Sequence, residues 1–385
     1  MHNTAQPYLA YRISGRPLDL GIIGFASTLP TLLLALPAGV LVERWDKRKT
    51  VIIFQSVMAL QAFGLAILTF TGHIQIWHII IFSLIFGSAS AVEITARQSM
   101  LIELAGRDAL PSAIALQTTA FNVGRVLGPL GASWLLTSTG TEGSVFLANG
   151  VSFIFVIVSL FFARTQYKVT RENNEHKGMG TEFQEGISYI RKNSLVSSII
   201  WMAALIGFFG LPLIQQIPAL ARDVLKTVAD TETAVAERTS LLYAAQGTGA
   251  LIAALMATLL SASRKKGQRM FLGQIVFIIP LIALGYVNQL NISIILLLMI
   301  GWGTVTQLVT MNMLIQLKVP NELRGRVFSI YLWALQGVAP FGSLLIGWIA
   351  QNWSVPLSAL VGGVISLVTI GGLHILNPAV RRAQA

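Results

Sequence analysis

Three ionisable side chains in the sequence, Glu93, Arg97 and Arg125, stand inside long apolar stretches. If these stretches cross a membrane, each unpaired charge costs about 2.5 to 3.5 kcal/mol, so such side chains usually face a cavity or a partner. Glu93 and Arg97 are four residues apart, which places both on one helix face and allows them to pair. Arg125 has no carboxylate three or four residues away. Its partner could come from a first helix whose beginning the sequence lacks, from a backbone carbonyl, or from a substrate.

Glu93, Arg97 and Arg125 would suit the transport of a solute that is coupled to proton movement. Glu93 can alternate between a protonated and a charged form as a closing cavity removes its water, which would provide a proton antiport step. Arg125 is expected to contribute to a cavity for an amphipathic substrate that bears anionic or acceptor groups. For Arg97, a fixed structural ion pair with Glu93 is the alternative.

A second charged cluster follows the first complete apolar span. It combines a glycine, two acids and three bases: Gly39, Glu43, Arg44, Asp46, Lys47 and Arg48. A glycine lets two helices approach closely, and an acid among bases can pair across a seam in one conformation and separate in another. We therefore predict a cytoplasmic gate here, with simple topology determinants as the alternative. The loop at residues 222–238 also carries both signs of charge, but it shows no metal-ligand spacing and is expected only to be solvated.

The composition indicates an integral membrane protein. Of 385 residues, 54% are hydrophobic and 11% are charged, whereas soluble domains carry about 25% charged residues. There is no cysteine, so neither a disulfide nor a thiolate site is available, and we expect no cofactor or metal. The net charge is +11, but the basic residues are not gathered on one solvated domain, which argues against nucleic acid as a partner.

Apolar stretches long enough to cross a hydrocarbon core of about 30 Å recur along the chain. Eleven spans are predicted, at residues 18–43, 49–71, 76–104, 110–138, 143–163, 195–221, 238–262, 269–288, 291–317, 323–350 and 354–376. A short repeat supports two related halves, because the sequence MLIEL at 100–104 recurs as MLIQL at 313–317. We predict two helical bundles, 1–163 and 195–385, joined by a cytoplasmic linker at 164–194 in which 181–193 forms a helix on the membrane surface.

The basic residues are distributed unequally between the two ends of these spans. About 20 of the 27 Lys and Arg fall on one side and about five on the other, so the positive-inside rule places the first side in the cytoplasm. Residues 1–15 then lie outside with no preceding span. We expect them to be the outer end of a first helix whose beginning is missing.

The cluster after the first span resembles the loop between helices 2 and 3 of the major facilitator superfamily. Glu43 stands where that family usually has Asp, and Asp46 stands where it has a second Gly. A more specific resemblance runs through ARQSM at 96–100, LPSAIAL at 110–116 and FNVGRVLGP at 121–129. These segments resemble the branch that contains the bacterial enterobactin exporter and the transmembrane secretion effectors, with Ser112 in place of the usual Asn. The resemblance covers nearly the whole chain.

The same resemblance extends to a helix-5 motif of the superfamily's antiporters. Asn122, Gly124, Gly128 and Pro129 approximate that motif, although Ala132 and Ser133 replace a Gly pair. Ordinary helix packing is the alternative, because small residues four apart allow close contact and proline bends a helix. An arginine common near the start of helix 4 in drug antiporters is absent, since Ser83 lies there.

The resemblance implies an all-α secondary transporter of the major facilitator type, with two six-helix bundles, a truncated first helix and about eleven complete spans. We expect a monomer in the lipid bilayer of the bacterial cytoplasmic membrane that exports a small amphipathic molecule, siderophore-like or drug-like, by proton-coupled alternating access. The alternatives are a multidrug antiporter without a siderophore role and a non-transporting scaffold or inactive truncated transporter. We do not expect an enzyme, since the five histidines are scattered. A channel would show a repeated pore lining.

Overall fold

A computed structural model describes residues 1–162, 179–225, 231–259 and 265–382. All regular secondary structure within these ranges is helical. The first half contains five helices: α1 (His2–Ser14), α2 (Pro17–Arg44), α3 (Lys47–Phe70), α4 (Ile76–Thr139) and α5 (Glu142–Phe162). For some residues inside helices only the backbone is described, and these include Gly39, Glu43, Arg44, Asn122 and Arg125.

Helix α4 contains two of the predicted spans, at 76–104 and 110–138. The chain changes direction at Gly106, whose φ of 72° and ψ of 171° suit a residue without a Cβ. Both arms of α4 reach α1. Gln6 donates from Nε2 to Ser83 Oγ at 2.5 Å in the first arm, and a Cβ at Gly128 in the second arm would lie 2.9 Å from the backbone nitrogen of Met1, which precedes α1. The two arms are therefore a hairpin that packs against α1.

The second half begins with α6 (Met179–Lys192) and α7 (Ser194–Leu205). From α7 the chain continues through a π-helical turn (Ile206–Gly210), α8 (Leu211–Ile214), α9 (Ile217–Ala219) and a second π-helical turn (Leu220–Val224). Pro212 and Pro218 lie in these short pieces, and each removes a backbone donor that a continuous helix would use. The predicted span 195–221 is thus helical but broken.

The remaining helices are longer. They are α10 (Glu232–Leu259), α11 (Lys266–Ala283), α12 (Leu290–Lys318), α13 (Asn321–Gln336), α14 (Ala339–Asn352), α15 (Val355–Leu376) and α16 (Pro378–Arg382). The predicted span 323–350 corresponds to α13 and α14 together. Pro340 follows the break between them, where its ring would clash with the preceding turn of a continuous helix.

Nine segments in the described part of the chain are long and apolar enough to cross a membrane. They correspond to nine of the eleven predicted spans. The other two predictions, 110–138 and 269–288, fall on the second arm of α4 and on α11, which are helical without being among the nine. Residues 2–14 form a helix, and its Leu9 and Ala10 are completely buried.

The linker prediction meets the structure only in part, because residues 163–178 lie outside the described ranges. Helix α6 forms at Met179–Lys192, where a helix at 181–193 is predicted. It packs against α13 through an ion pair of Glu185 with Arg326, and Tyr189 Oη donates to the Lys318 carbonyl at 3.3 Å. The boundaries at 163 and 195, and the position of α6 at a membrane surface, stay predictions.

The helices have two distinct ends. We call one of them the basic end, and it carries the connections at 45–46, 193, 265 and 319–320. The opposite end carries the connections at 15–16, 71–75, 140–141, 284–289 and 353–354. That the basic end faces the cytoplasm stays a prediction of the positive-inside rule.

Close contact between α10 and α12 depends on glycine. A Cβ at Gly301 would lie 2.0 Å from the Gln246 carbonyl oxygen, and a Cβ at Gly249 would lie 1.9 Å from the Leu298 carbonyl oxygen. Lipid supplies no hydrophobic driving force between helices, so membrane helices associate largely through such close packing. The α10–α12 pair therefore has no room for added atoms at these positions.

We expect Gly301→Ala to lower the thermal stability of the purified protein, because overpacking a close contact costs roughly 1 to 3 kcal/mol. Gly371→Ala in α15 is the matched control, since a Cβ there meets nothing within 4 Å. The measurement is the unfolding temperature in detergent. Equal unfolding temperatures for the two variants would contradict the packing described for α10 and α12.

Candidate functional site

Glu93 lies in the first arm of α4 and is only 4% exposed. Arg97, one turn further along, donates from Nε to Glu93 Oε1 at 2.9 Å. The ion pair that the spacing of four residues predicts is therefore present. The Arg97 side chain remains 37% exposed, so the pair links a buried carboxylate to a base that still reaches solvent.

Gln55 of α3 completes this cluster and was not predicted. Its Nε2 donates to Glu93 Oε1 at 3.0 Å, so one carboxylate oxygen accepts from both Gln55 and Arg97. Because a buried carboxylate is costly unless it is paired and hydrogen-bonded, both donors stabilise its charged form. In the sequence, Gln55 stands out only as a polar amide inside an apolar span, and that pattern does not identify its partner.

A cluster of buried apolar side chains, which we call the apolar collar, lies toward the basic end from Glu93 and Gln55. It consists of buried side chains from α2, α3, α4 and α5: Ala38, Val42, Val51, Val92, Ala96, Met100 and Leu160. Val92 and Ala96 are close neighbours of Glu93 in sequence, and Val51 lies one turn before Gln55. Glu93 is itself buried, so its described hydrogen bonds to Gln55 and Arg97 carry more weight than they would in water.

The structure describes the side chains of some predicted gate residues but not of others. Asp46 is the N-cap of α3 and accepts at Oδ1 from the Lys49 backbone amide at 2.8 Å, as expected for an Asp before a helix. Arg48 donates from Nη2 to the Phe161 carbonyl at 2.6 Å, which ties α3 to the end of α5. Lys47 is half-buried at the first position of α3. The side chains of Glu43 and Arg44 lie outside the described set, so the gate stays a prediction.

The structure also describes only some side chains of the helix-5 motif. Gly128 faces α1, where a Cβ would approach the Met1 nitrogen, whereas a Cβ at Gly124 would meet nothing within 4 Å. Pro129 is buried. The side chains of Asn122 and Arg125 are not among those described, so the predicted substrate role of Arg125 is neither supported nor opposed by geometry. Close packing is thus present at Gly128 and absent at Gly124.

Polar contacts at the opposite end join the two halves of the chain. Tyr8 Oη of α1 donates to the Glu232 carbonyl at 2.9 Å and lies 3.4 Å from Glu232 Oε2. Tyr11 Oη, one turn further on, donates to Asp223 Oδ2. We call Tyr8, Tyr11, Asp223 and Glu232 the tyrosine latch. Asp223 and Glu232 are exposed, as predicted for a solvated loop at 222–238, but the sequence does not predict their hydrogen bonds to α1.

Backbone contacts close the same end. A Cβ at Gly21 in α2 would lie 2.5 Å from the Ser343 carbonyl oxygen of α14, and one at Gly347 would lie 2.9 Å from Gly21 Cα. Gln216 Nε2 also donates to the Pro17 carbonyl at 3.2 Å. Helices α2 and α14 therefore touch directly near the opposite end, which is closed in this conformation.

Within the first half, Arg12 and Glu142 form a further ion pair at the opposite end. Arg12 Nε lies 2.5 Å from Glu142 Oε1, and Arg12 Nη2 donates to Oε2 at 3.0 Å. This two-pronged geometry is among the stronger forms of ion pair. It joins α1 to α5 without crossing between the halves.

The amino-acid sequence matches a family model described as transmembrane secretion effector over residues 1–385. The chain belongs to the transmembrane secretion effector family. Curated relatives include the enterobactin exporter EntS of Salmonella choleraesuis strain SC-B67, which is 23% identical over 377 residues, covering 97% of this chain and 84% of that protein. EntS of Escherichia coli O81 strain ED1a is 22% identical with the same coverage.

Solved structures share the fold. The nucleoside transporter NupG superposes with a TM-score of 0.72 at 12% identity, covering 97% of this chain and 94% of NupG. The inward-open xylose transporter XylE of E. coli gives 0.69 at 14% identity, covering 97% of this chain and 92% of XylE. The predicted fold class and family resemblance are confirmed, and the protein is a multi-pass membrane transporter of the major facilitator type with bacterial exporter relatives.

The hydrogen bond from Gln55 can be tested against a second glutamine on α3. Gln55→Leu should destabilise the protein, because a hydrogen bond to a charged group contributes about 1.5 to 3 kcal/mol. Gln61 is also buried, but its amide atoms have no hydrogen-bond partner among the described residues. Gln61→Leu should therefore leave the unfolding temperature in detergent unchanged or raise it. A larger loss for Gln61→Leu than for Gln55→Leu would contradict the cluster.

Proposed function

We propose that this protein exports a small amphipathic molecule across the bacterial cytoplasmic membrane by proton-coupled alternating access. The observation that carries the proposal is the state of Glu93, a buried carboxylate held by one half-exposed arginine and one amide. Membership of the secretion effector family and relatives named as enterobactin exporters support the direction of transport.

Proton coupling follows from what protonation does to the Glu93 cluster. The charged carboxylate accepts hydrogen bonds from Arg97 and Gln55, whereas the neutral acid no longer attracts the guanidinium. Arg97 is exposed enough to turn toward water once it is released, and the neutral side chain of Glu93 is then buried at a lower cost than the charged one. The α3–α4 contact thus has two arrangements that differ by one proton.

The tyrosine latch is the second part of the mechanism. When the opposite end opens, Tyr8 and Tyr11 must separate from Glu232 and Asp223. Asp223 is exposed and the Glu232 side chain is 55% exposed, so water can replace the phenol donors as they leave. Each such bond contributes on the order of 1 kcal/mol, which suits two conformations that differ by a few kcal/mol. The latch therefore holds one end closed without making the closure irreversible.

The proposed cargo is a catecholate siderophore, because the curated relatives are named as enterobactin exporters. In inverted membrane vesicles, where export appears as uptake, the protein should accumulate a catecholate siderophore when the lumen is acidic. A cationic dye serves as the comparison substrate. Accumulation of the dye without the siderophore would favour a multidrug antiporter, and accumulation of neither would favour a non-transporting scaffold.

The proton role of Glu93 has a matched control in Glu142, another buried glutamate that is ion-paired with an arginine. Glu93→Gln should abolish the response of transport to an imposed pH gradient while leaving binding of the substrate measurable. Glu142→Gln should retain the response, because its pair with Arg12 lies at the opposite end within one half. The assignment is wrong if Glu93→Gln keeps the full response.

The latch can be tested by cross-linking, since the natural sequence has no cysteine. A bifunctional thiol reagent applied to Tyr11→Cys with Asp223→Cys should stop transport, because the link would span the two halves. A reducible linker should restore transport after reduction. The control pair is Arg12→Cys with Glu142→Cys, which joins helices of one half and should remain active when linked. Continued transport by the linked latch pair would exclude opening at this end.

A further inference from the structure

A pocket of about 490 Å³ lies at the basic end between α11, α15 and α16. Its lining comes entirely from the second half of the chain: Gln268, His374, Ile375, Pro378, Arg381 and Arg382. It contains no residue of the Glu93 cluster or of the tyrosine latch. The proposed transport cycle therefore leaves this pocket without a role.

Two arginines give the pocket a positive charge. Arg381 and Arg382 are both exposed, and within the described ranges neither lies within 4.0 Å of a carboxylate oxygen. Arg381 is held in place, because its guanidinium lies 4.7 Å from the centre of the Phe271 ring and the adjacent Val380 is completely buried. A guanidinium fixed in this way suits a phosphate oxygen, since less side-chain freedom is lost on binding, and Arg382 adds a second positive charge beside it.

His374 adds a more selective feature. Its Nε2 lies 2.6 Å from Gln274 Oε1, while Gln274 Nε2 faces Met202 Sδ at 3.1 Å. Because a thioether sulfur is only an acceptor, the amide nitrogen of Gln274 must face it, and the amide oxygen must accept from His374 Nε2–H. In the neutral ring Nδ1 is then an acceptor, and it has no partner among the described groups although the residue is only 9% exposed. A ligand hydroxyl is one group that can donate to this nitrogen.

The surroundings indicate a ligand with an apolar part. Ile375 lines the pocket and is 79% exposed, and Leu376 beside it is 85% exposed, at the end of a membrane-spanning helix. Exposed aliphatic side chains at that position suit acyl chains better than water. Basic pockets at the cytoplasmic ends of membrane helices are suited to anionic lipid headgroups, and that leaflet carries anionic lipid.

We propose that this pocket binds the glycerophosphate headgroup of an anionic phospholipid, with the phosphate on Arg381 and Arg382 and a headgroup hydroxyl donating to His374 Nδ1. The acyl chains lie along Ile375 and Leu376. This site is independent of the cargo pathway, so its test stands whether or not the protein exports a siderophore.

The test is lipid binding to the purified full-length protein in detergent, measured by native mass spectrometry. One phosphatidylglycerol should bind about fivefold more tightly than phosphatidylmethanol, an anionic phosphodiester that lacks the headgroup hydroxyls, because one hydrogen bond is lost. Zwitterionic phosphatidylcholine should bind roughly 30-fold more weakly than phosphatidylglycerol. Arg381→Gln with Arg382→Gln should weaken phosphatidylglycerol binding about 30-fold, since each arginine near an anionic surface contributes roughly a fivefold factor.

The control is Lys49→Gln with Arg324→Gln, which removes two exposed charges from the same end outside the pocket and should change binding less than about twofold. His374→Phe should bind phosphatidylglycerol and phosphatidylmethanol equally, and His374→Asn gives the same comparison if the larger change impairs folding. Equal losses in the arginine and control pairs would overturn the proposal. Binding of inorganic phosphate as tight as that of phosphatidylglycerol would also overturn it, because the site would then be one for a free anion.

Discussion

A carboxylate can remain charged inside a membrane protein only if other groups replace the water that it loses, and the Glu93 cluster is arranged around that constraint. Arg97 supplies charge and Gln55 supplies a second donor to the same oxygen. Either group can separate from Glu93, because Arg97 still reaches solvent and Gln55 carries no charge. The cluster therefore stabilises the ion while leaving a route to its neutral form.

The cluster and the tyrosine latch lie in different parts of the fold, and the helices that carry them connect the two. Helix α4 bears Glu93 in its first arm and packs against α1, the helix of Tyr8 and Tyr11. The latch and the α2–α14 contact at Gly21 hold the halves together at the opposite end. Packed helices shift as units and not by gradual deformation, so a small change in the α3–α4 contact can bias which end is open.

Much of the fold follows from sequence because lipid imposes a simple pattern. Apolar length predicts the spans, and charge predicts their orientation. Spacing within one helix predicts the pair of Glu93 and Arg97. The sequence predicts the break at Gly106 only as a gap between two spans. It does not predict the π-helical turns around Pro212 and Pro218, because their backbone geometry depends on neighbouring helices.

The latch could not be predicted, since Tyr11 and Asp223 are 212 residues apart and no local pattern links them. Gln55 and Glu93 are 38 residues apart on different helices, so their contact depends on the register of α3 against α4. Asp46 has an ordinary cap role that the motif resemblance obscured. Sequence identified polar residues in unusual places, but tertiary packing determined their partners.

The central claim is that one proton on Glu93 changes which end of the transporter is open. Spin labels at His73 and Asn352, exposed residues of the opposite end in different halves, allow that opening to be measured by pulsed electron resonance. An imposed change of pH should shift the distance distribution in the otherwise natural protein and leave it constant in Glu93→Gln, which cannot ionise. The same pH-dependent shift in Glu93→Gln would contradict the account.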